Sequence, residues 1–179
     1  MEFLNGTGGD EQRIVGLFEA VFTASEGAEE GGIIGRLVYN LLSDTPREDI
    51  QIFTSIENAE LTGAAIFSRL TYADDPRQVF ILSPMAVATD QQGKGGGQAL
   101  LNHALTALRA GGVDVVITYG DPAFYGKVGF MALREADAAS PLPLSFPEGW
   151  IGQSLNGAPL QPLQGNCTCV PALRDPGIW

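Results

Sequence analysis

The sequence predicts an α/β or α+β sheet domain. Three observations predict it. Two amphipathic helical stretches open the chain. A near-continuous apolar run at Val79–Ala88 reads as a strand buried on both faces. A glycine-rich loop, a helix and a second buried strand follow that run, which is the order of a βαβ unit. A length of 179 residues suits one domain with a tail, and an apolar fraction of 45% suffices for a packed core.

Each element has its own warrant. Residues 10–22 place Ile14, Leu17, Phe18, Val21 and Phe22 on one helical stripe. Residues 29–42 do the same with Ile33, Ile34, Leu37, Val38, Leu41 and Leu42, and Pro46 stops that helix. Between them, Thr23–Glu29 reads as a small, acidic loop. Ile50–Glu57 alternates apolar and polar, Leu61–Tyr72 is a longer strand, and Glu57-Asn58-Ala59-Glu60 is the hairpin turn between them. Asp74-Asp75-Pro76 ends the hairpin. Pro84 interrupts Val79–Ala88 without an N–H to donate, so the strand must bulge or part from a neighbour there. A helix is expected over 98–110, with Leu100, Leu101, Ala104, Leu105 and Leu108 inward and Gly111-Gly112 as its cap. Val113–Tyr119 is the next buried strand. Gly120-Asp121-Pro122 starts a short helix over 122–127, and Gly129-Phe130 begins a further strand. Residues 136–179 are rich in Pro and Gly and read as loops with one or two short strands.

Composition excludes several classes. The chain carries 10 Lys and Arg against 21 Asp and Glu, for a net charge of −11. Such a surface is a poor partner for nucleic acid and draws in cationic or amine-bearing small molecules. No apolar run reaches the roughly 18–20 residues that span a bilayer, and Met1–Asp10 lacks the basic and apolar regions of a signal peptide. The expected compartment is the cytoplasm. Cys167 and Cys169 are the only cysteines. They cannot build a disulfide framework, and with one residue between them and a remote His103 they make a poor zinc site, so no metal is expected. His103 lies off the Leu100–Leu108 stripe and is expected to face solvent.

The strongest chemical signal is Gln92-Gly93-Lys94-Gly95-Gly96-Gly97-Gln98, set between the most buried strand and a helix N-terminus. Glycines allow backbone N–H groups to approach a ligand closely, and a helix start adds unpaired N–H groups and a positive dipole end. Together they suit a phosphate or pyrophosphate, with Lys94 adding a point charge. A Walker A loop is excluded because Gly95, not Ser or Thr, follows Lys94, and the dinucleotide fingerprint fails at Gln98. What fits is Gln92-x-x-Gly95-x-Gly97. A second motif follows the next strand: Asp121-Pro122-Ala123-Phe124-Tyr125-Gly126-Lys127-Val128-Gly129-Phe130.

These two motifs, in this order, resemble the acetyl-CoA loop and the Tyr-x-x-x-Gly-Phe signature of the GCN5-related N-acetyltransferase (GNAT) family. The second is closest to a subgroup in which Gly-Asp-Pro precedes Phe-Tyr-Gly or Tyr-Tyr-Gly. The paired N-terminal helices, Leu61–Arg69, Gly165-x-Cys167-x-Cys169-x-Pro171-Ala172-Leu173 and Pro176–Trp179 also resemble parts of that subgroup. The resemblance implies a mixed central sheet, splayed between strands 4 and 5 and flanked by helices. It implies an acetyltransferase core over 1–135, with 136–179 supplying strands and a tail that complete the same domain. Acetyl-CoA would be the acetyl donor. Met85, Ala86 and Val87 would pair with its pantetheine arm, and Gln92, Gly93, Lys94, Gly95, Gly96, Gly97 and Gln98 would hold its pyrophosphate. Phe124 and Lys127 would lie along its lower part. Tyr125 would be the general acid and the Val87 N–H the oxyanion donor. The partner would be a small-molecule or peptide amine. Members of the family often dimerise, and the segment after 136 is where an interface would form.

Direct acetyl transfer needs a neutral amine, a polarised carbonyl and a proton for the leaving thiolate. A phenol of pKa about 10 must donate to a thiolate of pKa about 8.5, so Tyr125 has to be well positioned or made more acidic. The general base stays open among Asp121, Glu26, Glu29, Glu30 and an ordered water, with Asp121 equally suited to capping the helix at Pro122. Val79–Ala88 offers no carboxylate, which keeps a second reading in view: the same fold binding acyl-CoA without turnover. A third is an unrelated nucleotide-binding α/β protein.

Overall fold

The computed structural model describes residues 1–179. Eight strands form a mixed sheet in the order β1-β2-β3-β4-β5-β7-β6, with β8 pairing on β3. The chain separates into two compact units, one of Met1–Phe67 with Pro84–Ala104, the other of Ser68–Ser83 with Leu105–Trp179. No helix is long and apolar enough to cross a membrane.

In the first unit, β1 (Glu2–Asn5) lies antiparallel on β2 (Ile50–Glu57), from Glu2 opposite Ile56 to Asn5 opposite Phe53. The sequence reading has no strand there. The helices α1 (Glu11–Glu26) and α2 (Ala28–Asp44) follow β1. Asp10 caps α1 by accepting from the Arg13 N–H at 3.1 Å. The stretch Thr23–Glu29, expected as a loop, is almost wholly helical: Gly27 alone separates the helices, Glu26 ends α1, and Glu29 and Glu30 stand in the first turn of α2. Acidic side chains at a helix N-terminus are favoured by its dipole, which explains their place there. Ile14, Phe18 and Val21 of α1 and Leu37, Val38 and Leu41 of α2 are buried, as their spacing predicts. Asn58 and Ala59 take φ of 52° and 65° between β2 and β3 (Glu60–Tyr72), the left-handed pair of a tight hairpin.

His103 does not face solvent. Its ring stacks on Phe3 at 5.1 Å, meets the edge of Phe53 at 6.0 Å, and its Nε2 hydrogen-bonds Asn5 Oδ1 at 2.7 Å. The flank left bare by the leucine stripe is covered by β1.

In the second unit, the first part of β4 (Val79–Val87) runs parallel to β5 (Val115–Tyr119), from Val79 opposite Val115 to Leu82 opposite Thr118. The antiparallel β7 (Trp150–Ser154) covers the other edge of β5, and the short β6 (Met131–Ala132) pairs with β7. Tyr119 stacks on Trp179 at 6.0 Å, and Trp150 meets both rings edge-on. Both indoles donate to carbonyls at 2.9 Å, Trp150 to Ala138 and Trp179 to Leu173. β8 (Cys167–Thr168) sets Cys167 opposite Tyr72, and burial pushes the Cys167 thiol up to about 12. Cys167 and Cys169 are both buried, as inward strand residues should be.

The turn after β3 fastens the late, loop-rich segment. Arg77 grips Asp75 with Nε and Nη2 at 2.9 and 2.7 Å and also donates to the Gln161 and Pro162 carbonyls at 2.9 and 2.7 Å. The Gln164 N–H donates to Asp75 at 3.1 Å. Asp75 has a side chain only 4% exposed. The bonds from Arg77 hold its carboxyl down at about 2. A depressed carboxyl pKa adds stability above the unfolded value near 4, and that stability is lost as pH falls toward 2. We therefore expect Asp75→Asn to lower unfolding free energy at pH 7 by about 2 kcal/mol. Urea melts of variant and native protein should converge as pH approaches 2; an equal gap at both pH values would refute this account.

Candidate active site

The first unit carries a backbone cradle. The Ala88 N–H donates to the Thr62 carbonyl of β3 at 2.9 Å. Successive residues of a strand turn their N–H groups to opposite edges, so Val87 and Met85 direct theirs away from β3. In the second unit Leu82, which has the same parity as Ala88, turns its carbonyl to Thr118 of β5. An unbroken strand does not face both edges at one parity, and Pro84 stands between the two positions, as the sequence reading anticipates.

After β4 the chain folds back on itself. Gln92 Nε2 donates to the Val87 carbonyl at 3.0 Å, fixing the start of the loop against the strand. Gly93 and Gly95 take φ of +75° and +82°, and a Cβ on either would meet nothing within 4 Å. Their conformation, together with the open space above them, requires glycine and leaves room for a ligand. Helix α3 begins at Gly96, two residues earlier than the spacing predicts, and runs to Ala110. Its first-turn N–H groups have no intrahelical partner. Exposed Lys94 reaches Gln91 Oε1 at 3.4 Å. Donors, dipole and ammonium suit a phosphate anion, and the surroundings fit the group that the sequence reading assigns here.

The second unit carries the phenol. β5 ends at Tyr119, and Asp121 caps α4 (Pro122–Tyr125) by accepting from the Ala123 N–H at 2.9 Å. That bond occupies the carboxylate as a cap, the bland role the sequence allowed it. The Tyr125 ring packs directly on Gly120, where a Cβ would come within 2.7 Å of Cε2. Phe124 and the buried Phe130 meet it edge-on at 5.0 and 5.7 Å. Gln153 donates to the Val128 carbonyl at 2.9 Å and so holds the turn that follows. Lys127 is exposed and Phe124 half-buried. Burial pushes the Tyr125 hydroxyl up to about 12; the Thr118 hydroxyl pulls against this, and the Asp121 carboxylate adds to it. The phenol is thus no stronger an acid than usual, and of the two options read from the sequence only positioning is left.

Met85, Ala86, Val87 and Gln92–Gln98 belong to the first unit, and Phe124, Tyr125 and Lys127 to the second. Glu26 and Glu29 are exposed on the helices of the first unit and Glu30 is half-buried. No group of three or more His, Cys, Asp or Glu side chains is gathered for a metal. Sequence reasoning missed Thr118, fully buried with Oγ1 donating to the Leu82 carbonyl at 2.9 Å. The available signal was a lone hydroxyl in an otherwise apolar strand, Val115-Val116-Ile117-Thr118.

Comparison with known proteins agrees with this geometry. Residues 48–132 match the family model of the acetyltransferase (GNAT) domain. The chain is 30% identical over 140 residues to the uncharacterized N-acetyltransferase YjhQ of Escherichia coli K12, covering 75% of this chain and 76% of that one. Among solved structures, the GNAT family N-acetyltransferase YhbS from Escherichia coli, in complex with CoA, superposes with a TM-score of 0.80 at 20% identity, over 97% of this chain and 92% of that one. A GNAT family acetyltransferase from Brucella melitensis, in complex with acetyl-CoA, gives 0.73 at 20% identity over 96% of both chains. The chain belongs to the GNAT family of acetyltransferases.

Proposed function

We propose that this protein transfers an acetyl group from acetyl-CoA directly to a primary amine of a small molecule or peptide, in the cytoplasm and without a metal. The observation that carries the reading is the cradle at Gln92–Gly97, with two left-handed glycines open to space ahead of a helix N-terminus. In a chain of net charge −11, a concentrated set of backbone donors and a lysine is a specific anion site rather than general surface charge. The similar structures from Escherichia coli and Brucella melitensis hold CoA and acetyl-CoA respectively.

On this reading Gln92–Gln98 bind the pyrophosphate. The outward N–H groups of Met85 and Val87 orient the pantetheine arm, and that of Val87 also stabilises the oxyanion. Phe124 and Lys127 flank the lower part of the donor. The amine nitrogen bonds to the acetyl carbon, and the C–S bond breaks with its electron pair on sulfur. Tyr125 supplies the proton for that sulfur, and the proton lost from nitrogen leaves through water, since no side-chain carboxylate is assigned as base. The same observation favours a second reading, an acyl-CoA-binding module without turnover.

Thiol release from acetyl-CoA with a panel of amines tests both. Tyr125→Phe should lower turnover about 10²–10⁴-fold while leaving CoA affinity, measured by calorimetry, within a few-fold. Undiminished turnover would remove Tyr125 as the acid, and CoA binding with no turnover on any amine would establish the module. Gly95→Val places a side chain in a left-handed conformation and should weaken CoA about tenfold or more; unchanged affinity would dismiss the cradle. The pH profile of kcat/KM should rise as the amine deprotonates. With the Tyr125 hydroxyl held up at about 12, no alkaline fall should occur before about pH 11. A fall near pH 9 that vanishes in Tyr125→Phe would contradict this.

A further inference from the structure

The inference rests on the reading of Tyr125 as the acid and concerns the group that serves it. Thr118 is 1% exposed, stands in register opposite Leu82, and donates its hydroxyl proton to the Leu82 carbonyl at 2.9 Å. The same hydroxyl hydrogen-bonds the Tyr125 phenol. A threonine hydroxyl has one proton and two lone pairs. With its proton on Leu82, it can only accept from the neutral phenol, so the Tyr125 proton is directed at Thr118. A phenolate reverses that need: it has no proton to give and, half-buried, must receive a donor. Asp121, the one charged group that bears on Tyr125, repels a phenolate and cannot fill the role.

We propose that Thr118 is a positioning residue with two settings, donating to the Leu82 carbonyl while Tyr125 is a neutral phenol and turning to donate to the Tyr125 oxygen once that phenol has given up its proton. The step balances. The Tyr125 O–H bond breaks, an S–H bond forms on the leaving thiolate, and Thr118 keeps its own proton while rotating about Cβ–Oγ1. The phenolate then regains a proton from water and Thr118 returns to Leu82.

The test uses the free full-length protein, with 3-fluorotyrosine at its four tyrosines so that ionisation falls in a range the fold tolerates. Fluorine NMR follows each ring, and Tyr125 is assigned by the signal lost in Tyr125→Phe. Thr118→Val should raise the Tyr125 pKa by about one unit, a tenfold change in its ionisation constant, and Thr118→Ser should hold it within a few tenths. If Thr118 only accepts, its loss lowers that pKa or leaves it in place, and the proposal fails. Thr118→Ala carries the same expectation and decides the matter if the valine variant does not fold. The other three resonances report whether the fold is intact. Because no donor or amine is present, missing turnover would leave this result standing. A Thr118 effect beside full activity in Tyr125→Phe would sink the acid reading alone.

Discussion

The start of a helix cannot satisfy its own first N–H groups, and this protein places that defect directly after β4. Everything proposed about its chemistry depends on those unpaired donors. The chain surrounds them with features that keep the position open. Gln92 ties the loop back to the Val87 carbonyl, and Gly93 and Gly95 turn through left-handed conformations with nothing above them. Lys94 projects without a carboxylate partner in its printed contact, meeting only the Gln91 amide oxygen. An excess of eleven negative charges would otherwise repel a phosphate ligand. Short-range donors and the helix dipole act within a few ångströms, whereas most of the distant surface charge is screened over about 8 Å at physiological salt.

The second unit solves a different problem, the placement of one ring. Gly120 removes the atom that would displace Tyr125, Asp121 fixes the start of its helix, and Gln153 secures the turn after it. Behind β5 and β7 lies a packed aromatic group in which Trp150, Trp179 and Tyr119 lock the strand end from which Gly120 departs. Rigidity here has a chemical purpose on the proposed reading. A phenol that is not intrinsically acidic can act only if its distance and direction are held.

What the sequence revealed and what it hid follow from the range of the interactions. The cradle and the Tyr125 segment were legible because their cues are local: glycines at a strand–helix junction, a proline after a capping aspartate. Helices α1 and α2 were legible from their stripes, and the break at Pro84 from its missing N–H. β1 was not, since Glu2-Phe3-Leu4-Asn5 is too short to show a period and becomes a strand only by pairing with β2. That omission caused a second one: His103 seemed free because the strand that covers it was unseen. The acidic stretch at Thr23–Glu29 was given too much loop because one glycine was read as a whole connection. The Asp75–Arg77 clamp was visible only as a turn, because its other partners, Gln161, Pro162 and Gln164, lie more than eighty residues away.

The raised Tyr125 hydroxyl sharpens the mechanism rather than opposing it. A phenol at about 12 facing a thiol of about 8.5 leaves proton transfer uphill by roughly 3.5 units, or about 5 kcal/mol. A turnover near 10 s⁻¹ corresponds to a barrier of about 16 kcal/mol, so the climb fits inside it but takes a substantial share. The phenolate must therefore be short-lived, and any donor that meets it returns about tenfold in rate per pKa unit recovered. A fixed donor would lower the phenol's pKa at all times and offer no advantage specific to the moment of transfer. A hydroxyl that rests on a carbonyl and turns when charge develops stabilises the phenolate alone, which is differential binding of the kind that accelerates a step. The carbonyl it leaves, Leu82, stands at the last paired position of β4 and β5, where a hydrogen bond can open without unzipping the ladder behind it.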